Sequence, residues 1–156
     1  MLNYAQIKDN KILGMSNAPY LNEDILNVEV DDLLYNDYQE YPDKYIWDGL
    51  QVVINPNYEA EQELKERERI ARLNLTGSDV ERGIYKAKGM DFNDILAYVT
   101  QLQPEGLDIK ALGIELKANN FYRGNPYVDA VGALLGFTSE QLDKFFETND
   151  YTSLLA

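Results

Sequence analysis

Residues 12–43 hold eight carboxylates and no lysine or arginine: Glu23, Asp24, Glu29, Asp31, Asp32, Asp37, Glu40 and Asp43. Tyr20, Tyr35, Tyr38 and Tyr41 are interleaved with them. Gathered carboxylates repel one another and attract cations, while tyrosine offers a large contact area with little rotamer entropy to lose. Such a stretch suits attraction to a basic protein surface. Asp31, Asp32, Tyr35, Asp37, Tyr38 and Tyr41 are its candidate partner-binding residues. The plainer reading is a solvated acidic loop whose tyrosines pack on a neighbouring sheet, because charge runs commonly form hydrated faces.

Other chemistries fit less well. A calcium loop converges roughly six to eight oxygens, usually around a glycine, and the D-x-D-x-D-G spacing is absent. Asp31-Asp32 with Asp37 is a poor substitute, so no metal site is expected. A carboxylate pair could act as glycosidase acid and base, but sequence spacing does not set two of them across a cleft. The phosphate-cradling patterns GxxxxGK[ST] and GxGxxG are missing. Arg123-Gly124-Asn125-Pro126 places a cation beside a helix start and could meet an anion, or the arginine could simply bridge loop carbonyls. With no cysteine and no histidine in 156 residues, disulfides, thiolate nucleophiles, Ser-His-Asp triads and ordinary zinc sites are excluded. The expectation is a protein with no catalytic residue and no cofactor.

The elements that would carry these residues fall into two kinds. Residues 1–55 read as strands. Leu2–Lys8 and Lys11–Met15 flank Asp9-Asn10, both tolerant of the positive φ that a two-residue hairpin turn requires. Leu26, Val28 and Val30 alternate with Asn27 and Glu29, the period of a strand with one buried face. Lys44–Trp47 and Leu50–Ile54 flank Asp48-Gly49, which suits a type I′ turn. A small antiparallel sheet is expected, too small to be very stable without a neighbour covering one face.

Residues 56–74 predict a charged connector helix, starting at Pro56 or Asn57. The pairs Glu61–Lys65, Glu63–Arg67 and Glu68–Arg72 are spaced i,i+4 with the acid first, each contributing about 0.2–0.5 kcal/mol. No large apolar residue lies between Leu64 and Ile70, so little of it can enter a core. The heptads are too short-lived for a coiled coil.

Residues 75–150 predict a compact α-helical bundle with legible caps. Thr76 with Asp79, Asp91, Asp108, Asn125-Pro126 and Thr138 with Gln141 can each open a helix, and Gly89 can close one in a left-handed turn. Phe137 and Leu142 are spaced as a hydrophobic staple. Residues 151–156 complete the chain as a short tail. The fold class expected is therefore α+β: an N-terminal antiparallel β module, a charged connector helix and a C-terminal helical bundle.

Two segments of the helical part, LTGSDVERGIYKAKGM (Leu75–Met90) and FYRGNPYVDAVGALLGFTSEQLDKFF (Phe121–Phe146), resemble a small helical module of prophage-encoded, tail-associated proteins. The W-D-G turn and the N-P-N-Y-E start of the charged helix are similar in layout to adaptor sections and accessory proteins of phage tail and fibre modules. The resemblance covers about half the chain and implies a structural or assembly role through protein contacts, with no catalytic residue to carry over. The chain lacks the repetitive glycine-rich shaft of trimeric fibres, which favours an adaptor or assembly helper over a receptor binder.

Charge fixes the class of partner. The chain carries 14 basic and 27 acidic side chains, a net charge of −13. Nucleic-acid affinity comes from Lys and Arg replacing phosphate counterions, so direct binding to nucleic acid is disfavoured. The converse reading is an acidic mimic that occupies the basic channel of a host defence nuclease, as anti-CRISPR proteins do. The first twenty residues hold no apolar core behind a basic start, and no run reaches the ~18 apolar residues of a membrane span. The expected location is the host cytoplasm or the virion tail, with no membrane partner; the oligomeric state stays open.

Overall fold

A computed structural model describes residues 2–155. The chain is α+β and divides into two compact units, residues up to Leu64 and residues from Lys65 on.

In the first unit β1 (Asn3–Lys8) pairs antiparallel with both β2 (Lys11–Ser16) and β3 (Leu26–Val30), in the order β2-β1-β3. Asp9 and Asn10 make the first turn with φ of 50° and 59°, the left-handed geometry that short Asx side chains tolerate. Register sorts the sheet into two faces. Ala5 lies between Met15 and Val28, and Ile7 between Ile12 and Leu26, on one face; Tyr4 and Gln6 lie between Ser16, Gly14, Glu29 and Asn27 on the other. The register shift between Gln6 and Ile7 is a bulge. It brings Ile12 level with Ile7 on the apolar side.

The acidic stretch is only partly a loop: Glu23 and Asp24 lie in the connection between β2 and β3. Asp32–Glu40 form helix α1, which packs on β1 and β2. A single turn over Pro42–Lys44 leads to β4 (Tyr45–Trp47), which pairs with β5 (Val52–Ile54) as a separate two-stranded ribbon. Trp47 is opposite Val52, so the connection is the four residues Asp48–Gln51 and not a two-residue Asp-Gly turn. The Asp48 carboxylate explains the longer loop. It accepts the amides of Leu50 and Gln51 at 2.8 Å each, holding an Asx turn that competes with the tight hairpin. The expected sheet is thus three strands plus a ribbon.

Helix α2 (Tyr58–Ala71) follows, with none of its residues buried. The unit boundary falls inside it, where the sequence suggests a solvated connector over 56–74 that could dock at one end. Its C-terminal end belongs to the second unit for a specific reason: Arg69 chelates Glu66 through Nε and Nη2 at 2.8 and 2.7 Å and reaches Glu147 at 2.9 Å.

The second unit contains the five expected helices: α3 (Gly77–Lys88), α4 (Phe92–Leu102), α5 (Ile109–Glu115), α6 (Pro126–Leu134) and α7 (Ser139–Thr148). Caps set their ends. Asp91 with Asp94 and Thr138 with Gln141 form full capping boxes, and Asn125 caps α6 ahead of Pro126. Thr76 accepts the Asp79 amide, but the Asp79 carboxylate answers the Thr76 hydroxyl at 2.7 Å and not its amide. Gly89, at φ 71°, ends α3.

Two features lie outside the sequence-based expectation. Strands β6 (Asn74–Thr76) and β7 (Asn120–Tyr122) pair antiparallel with Leu75 opposite Phe121, clasping the start of α3 to the start of α6. The last residues are not a tail, because Tyr151–Leu154 form a helical turn capped by Asp150 and Leu154 is buried in the core. That core gathers Val80, Ile95, Val99, Leu112, Phe145 and Phe146 with other residues of the same helices. Glycines bring the helices close. A Cβ at Gly83 would strike the Phe145 ring, and one at Gly132 would meet Leu142 Cδ1 at 2.6 Å.

Candidate interaction surface

The six residues singled out from sequence all lie on or beside α1, but several carboxylates turn inward to fold contacts. Asp31 caps α1, its Oδ1 accepting the Leu34 amide at 2.8 Å. Asp32 accepts the side-chain amide of buried Asn3 at 2.6 Å and so ties the helix to β1. Asp37 takes the Lys44 ammonium at 2.6 Å and the Tyr45 hydroxyl as well. Those two donors hold its carboxyl below the ordinary 3.8.

Lys44 organises the aromatic part of the cluster. Its ammonium lies 5.8 Å from the Tyr41 ring centre and 5.7 Å from that of Tyr45, within the range of cation–π attraction. The Asp37 carboxylate raises its pKa. Tyr45 in turn meets Tyr38 at 6.4 Å between ring centres. Burial and the Asp43 charge push the Tyr38 phenol up, and the hydrogen bond to Glu40 does the same for Tyr41. Tyr35 and Tyr38 are half-buried, while Tyr41 remains exposed. The cluster is therefore a locked network more than a field of idle acids.

On α1, Leu33 stands exposed among the polar Asp32, Asn36, Gln39 and Glu40. Leu33 is 84% exposed. Adjacent residues on a helix point about 100° apart, so Leu33 and Leu34 cannot both face the sheet. Between α1 and β5 lies an open concavity of about 500 Å³, lined by Leu33, Leu34, Val52, Val53 and Ile54 beside Asp31, Asp37, Lys44 and Tyr45. Elsewhere in this unit Leu13, Leu21, Leu26 and Leu50 are also exposed. Against that display, Ala5 and Ile7 are the buried hydrophobic side chains among the described residues of the unit, whereas the second unit buries twelve. Sequence reasoning does not find these exposed leucines. The signal available is local: paired Leu33-Leu34, and Leu50 following a turn glycine with nothing to cover it.

Charge follows the same division. Residues 1–64 carry thirteen acids and three bases, a net of −10, and residues 65–156 carry fourteen and eleven, a net of −3.

No known family model, no curated protein and no solved structure matches this chain. The physical chemistry of its own side chains has to carry the reading.

The remaining candidates can be placed. Arg123 is not an anion site. It is 5% exposed, its Nε donates to Asp143 at 2.6 Å, and its Nη2 reaches Asp129 at 2.9 Å and the Ser139 hydroxyl at 2.8 Å. Burial pulls its pKa down, and the two carboxylates more than offset that. Nor does it bridge loop carbonyls alone, since its main partners are carboxylates on α6 and α7. The core of the second unit encloses a cavity of about 50 Å³, well short of the ~300 Å³ at which ligand pockets begin. Among the described residues, no group of three or more carboxylates converges as a metal ion would require, and no helix is long and apolar enough to cross a membrane.

Proposed function

We propose that this chain is a non-enzymatic docking protein whose first unit binds a basic protein surface, in the role of a phage tail or fibre adaptor or assembly accessory. The observation that carries the reading is the coincidence, on residues 1–64, of a net charge of −10 with exposed leucines and almost no buried apolar side chains. Exposed apolar side chains that lie together mark surfaces another molecule covers, and Leu33 and Ile54 line one concavity. The acidic field would accelerate encounter with a basic partner, and the leucines would supply the lasting contact. The self-contained core of the second unit leaves it free to act as a carrier. The phage assignment rests on the resemblance of residues 75–90 and 121–146 to tail-associated modules.

A second reading, an acidic mimic that inhibits a host defence nuclease, is favoured by the charge alone. The leucines count against it, because a phosphate ladder has no apolar counterpart. Capture from lysate of a phage-producing host, with mass spectrometry of the bound proteins, separates the two. Tail proteins support the first reading and a nuclease the second. A variant with Leu21, Leu33 and Leu50 all replaced by serine should lose the partner; undiminished capture would overturn the docking reading.

A further inference from the structure

We propose that the concavity between α1 and β5 is a peptide groove that takes a short apolar segment flanked by arginine or lysine, a deepening that rests on the docking reading above. At about 500 Å³ the groove has the volume of a small ligand site, and its apolar lining comes from two elements. Leu33 and Leu34 belong to the α1 side; Val52, Val53 and Ile54 belong to β5. Leu33 and Ile54 are 84% and 59% exposed, so an apolar side chain seated between them would remove hydrophobic surface from water on both sides.

Charge selects what flanks that side chain. The segment forming both sides, residues 31–54, contains Asp31, Asp32, Asp37, Glu40, Asp43 and Asp48 against Lys44 as its sole base, a net of −5. Lys44 itself lines the groove, and its charge is met there by Asp37 at 2.6 Å, leaving Asp31 as the further carboxylate of the lining within this acidic field. An acidic segment would be repelled and a neutral one would gain nothing from this field, so the occupant is basic. Asp31 and Asp37 are held by the Leu34 amide and by Lys44 and Tyr45. Their positions beside the apolar lining are thus fixed before any ligand arrives, which lowers the ordering cost of binding.

The test uses the full chain and a short fluorescent peptide with paired leucines between arginines, followed by anisotropy. Two control peptides replace the leucines by serine or the arginines by glutamate. The arginine–leucine peptide should bind, both controls should bind at least tenfold more weakly, and added salt should weaken binding. Leu33→Ser with Ile54→Ser should weaken affinity roughly tenfold, the scale expected when each wall of the groove gives up one apolar side chain. Leu33→Arg, at a position with no packing duty, gives a second variant expected to bind more weakly still. Failure of the arginine–leucine peptide to bind, equal binding of the glutamate peptide, or unchanged binding by both variants would overturn the groove. If the groove fails while the Leu21, Leu33, Leu50 variant still loses its captured partner, the docking reading stands on other leucines. If capture is also undiminished, both fall.

Discussion

At the residue scale, the acids that suit a basic partner prove to do two jobs at once. Asp31, Asp32 and Asp37 hold α1, β1 and Lys44 in place, so reversing their charge would disturb the unit as well as any contact. The pH response follows from the shifts. Asp37 titrates below its ordinary 3.8, so its contribution is full above that value and is lost as pH falls through the folded one. Tyr38, Tyr41 and Tyr45 lie above 10.0 and Lys44 above 10.5. Their contribution is full below those values and is lost as pH rises through the folded ones. The first unit should therefore loosen below pH ~4 and above pH ~10. Trp47 fluorescence against pH checks this, and Lys44→Met should flatten the acid edge, because Asp37 loses the largest cause of its lowered folded pKa. Arg123 makes a complementary case: Arg123→Ala removes a buried guanidinium from Asp143, Asp129 and Ser139 and should cost about 1–3 kcal/mol in urea unfolding, with water reaching the partly exposed carboxylates.

At the element scale, legibility tracks locality. Caps, turn residues and helical periodicity act within a few positions, and the five helices of the second unit follow from Thr76, Asp91, Asp108, Asn125 and Thr138. The first hairpin is equally local. Pairings between distant segments are not readable: β6 and β7 are three residues each, and only their neighbours bring Leu75 against Phe121. Helix α1 escapes a sequence reading because its charge and tyrosine content mask the Asp31 cap and the apolar Leu34–Tyr38 spacing. The candidate site is half legible. Its acids stand out in sequence, but the groove needs β5 beside α1, a tertiary fact. The close approach of α3 to α7 at Gly83 offers a test of this packing. Gly83→Ala would push into the ring of fully buried Phe145 and should lower stability by about 1–3 kcal/mol, read as a lower urea midpoint.

At the scale of the whole molecule, the two units differ in what holds them. The second surrounds a contiguous core of phenylalanines and aliphatic residues; the first relies on a bulged sheet, a short helix and a polar network, with its leucines turned outward. Burying less apolar surface makes a unit open at lower free energy. The single tryptophan, Trp47, lies in the first unit, while most helix lies in the second. Trp47 fluorescence should consequently change at a lower temperature than helical ellipticity, and coincident transitions would contradict that ranking. A partner that covers the exposed leucines would stabilise the first unit through linkage and draw the two transitions together. The central claim is that this unit meets the partner. Hydrogen exchange on the chain alone and in its captured complex tests it most directly. New protection should concentrate in residues 31–54, around α1 and β5. Protection confined to α3–α7, with residues 31–54 exchanging as fast as in the free chain, would contradict it.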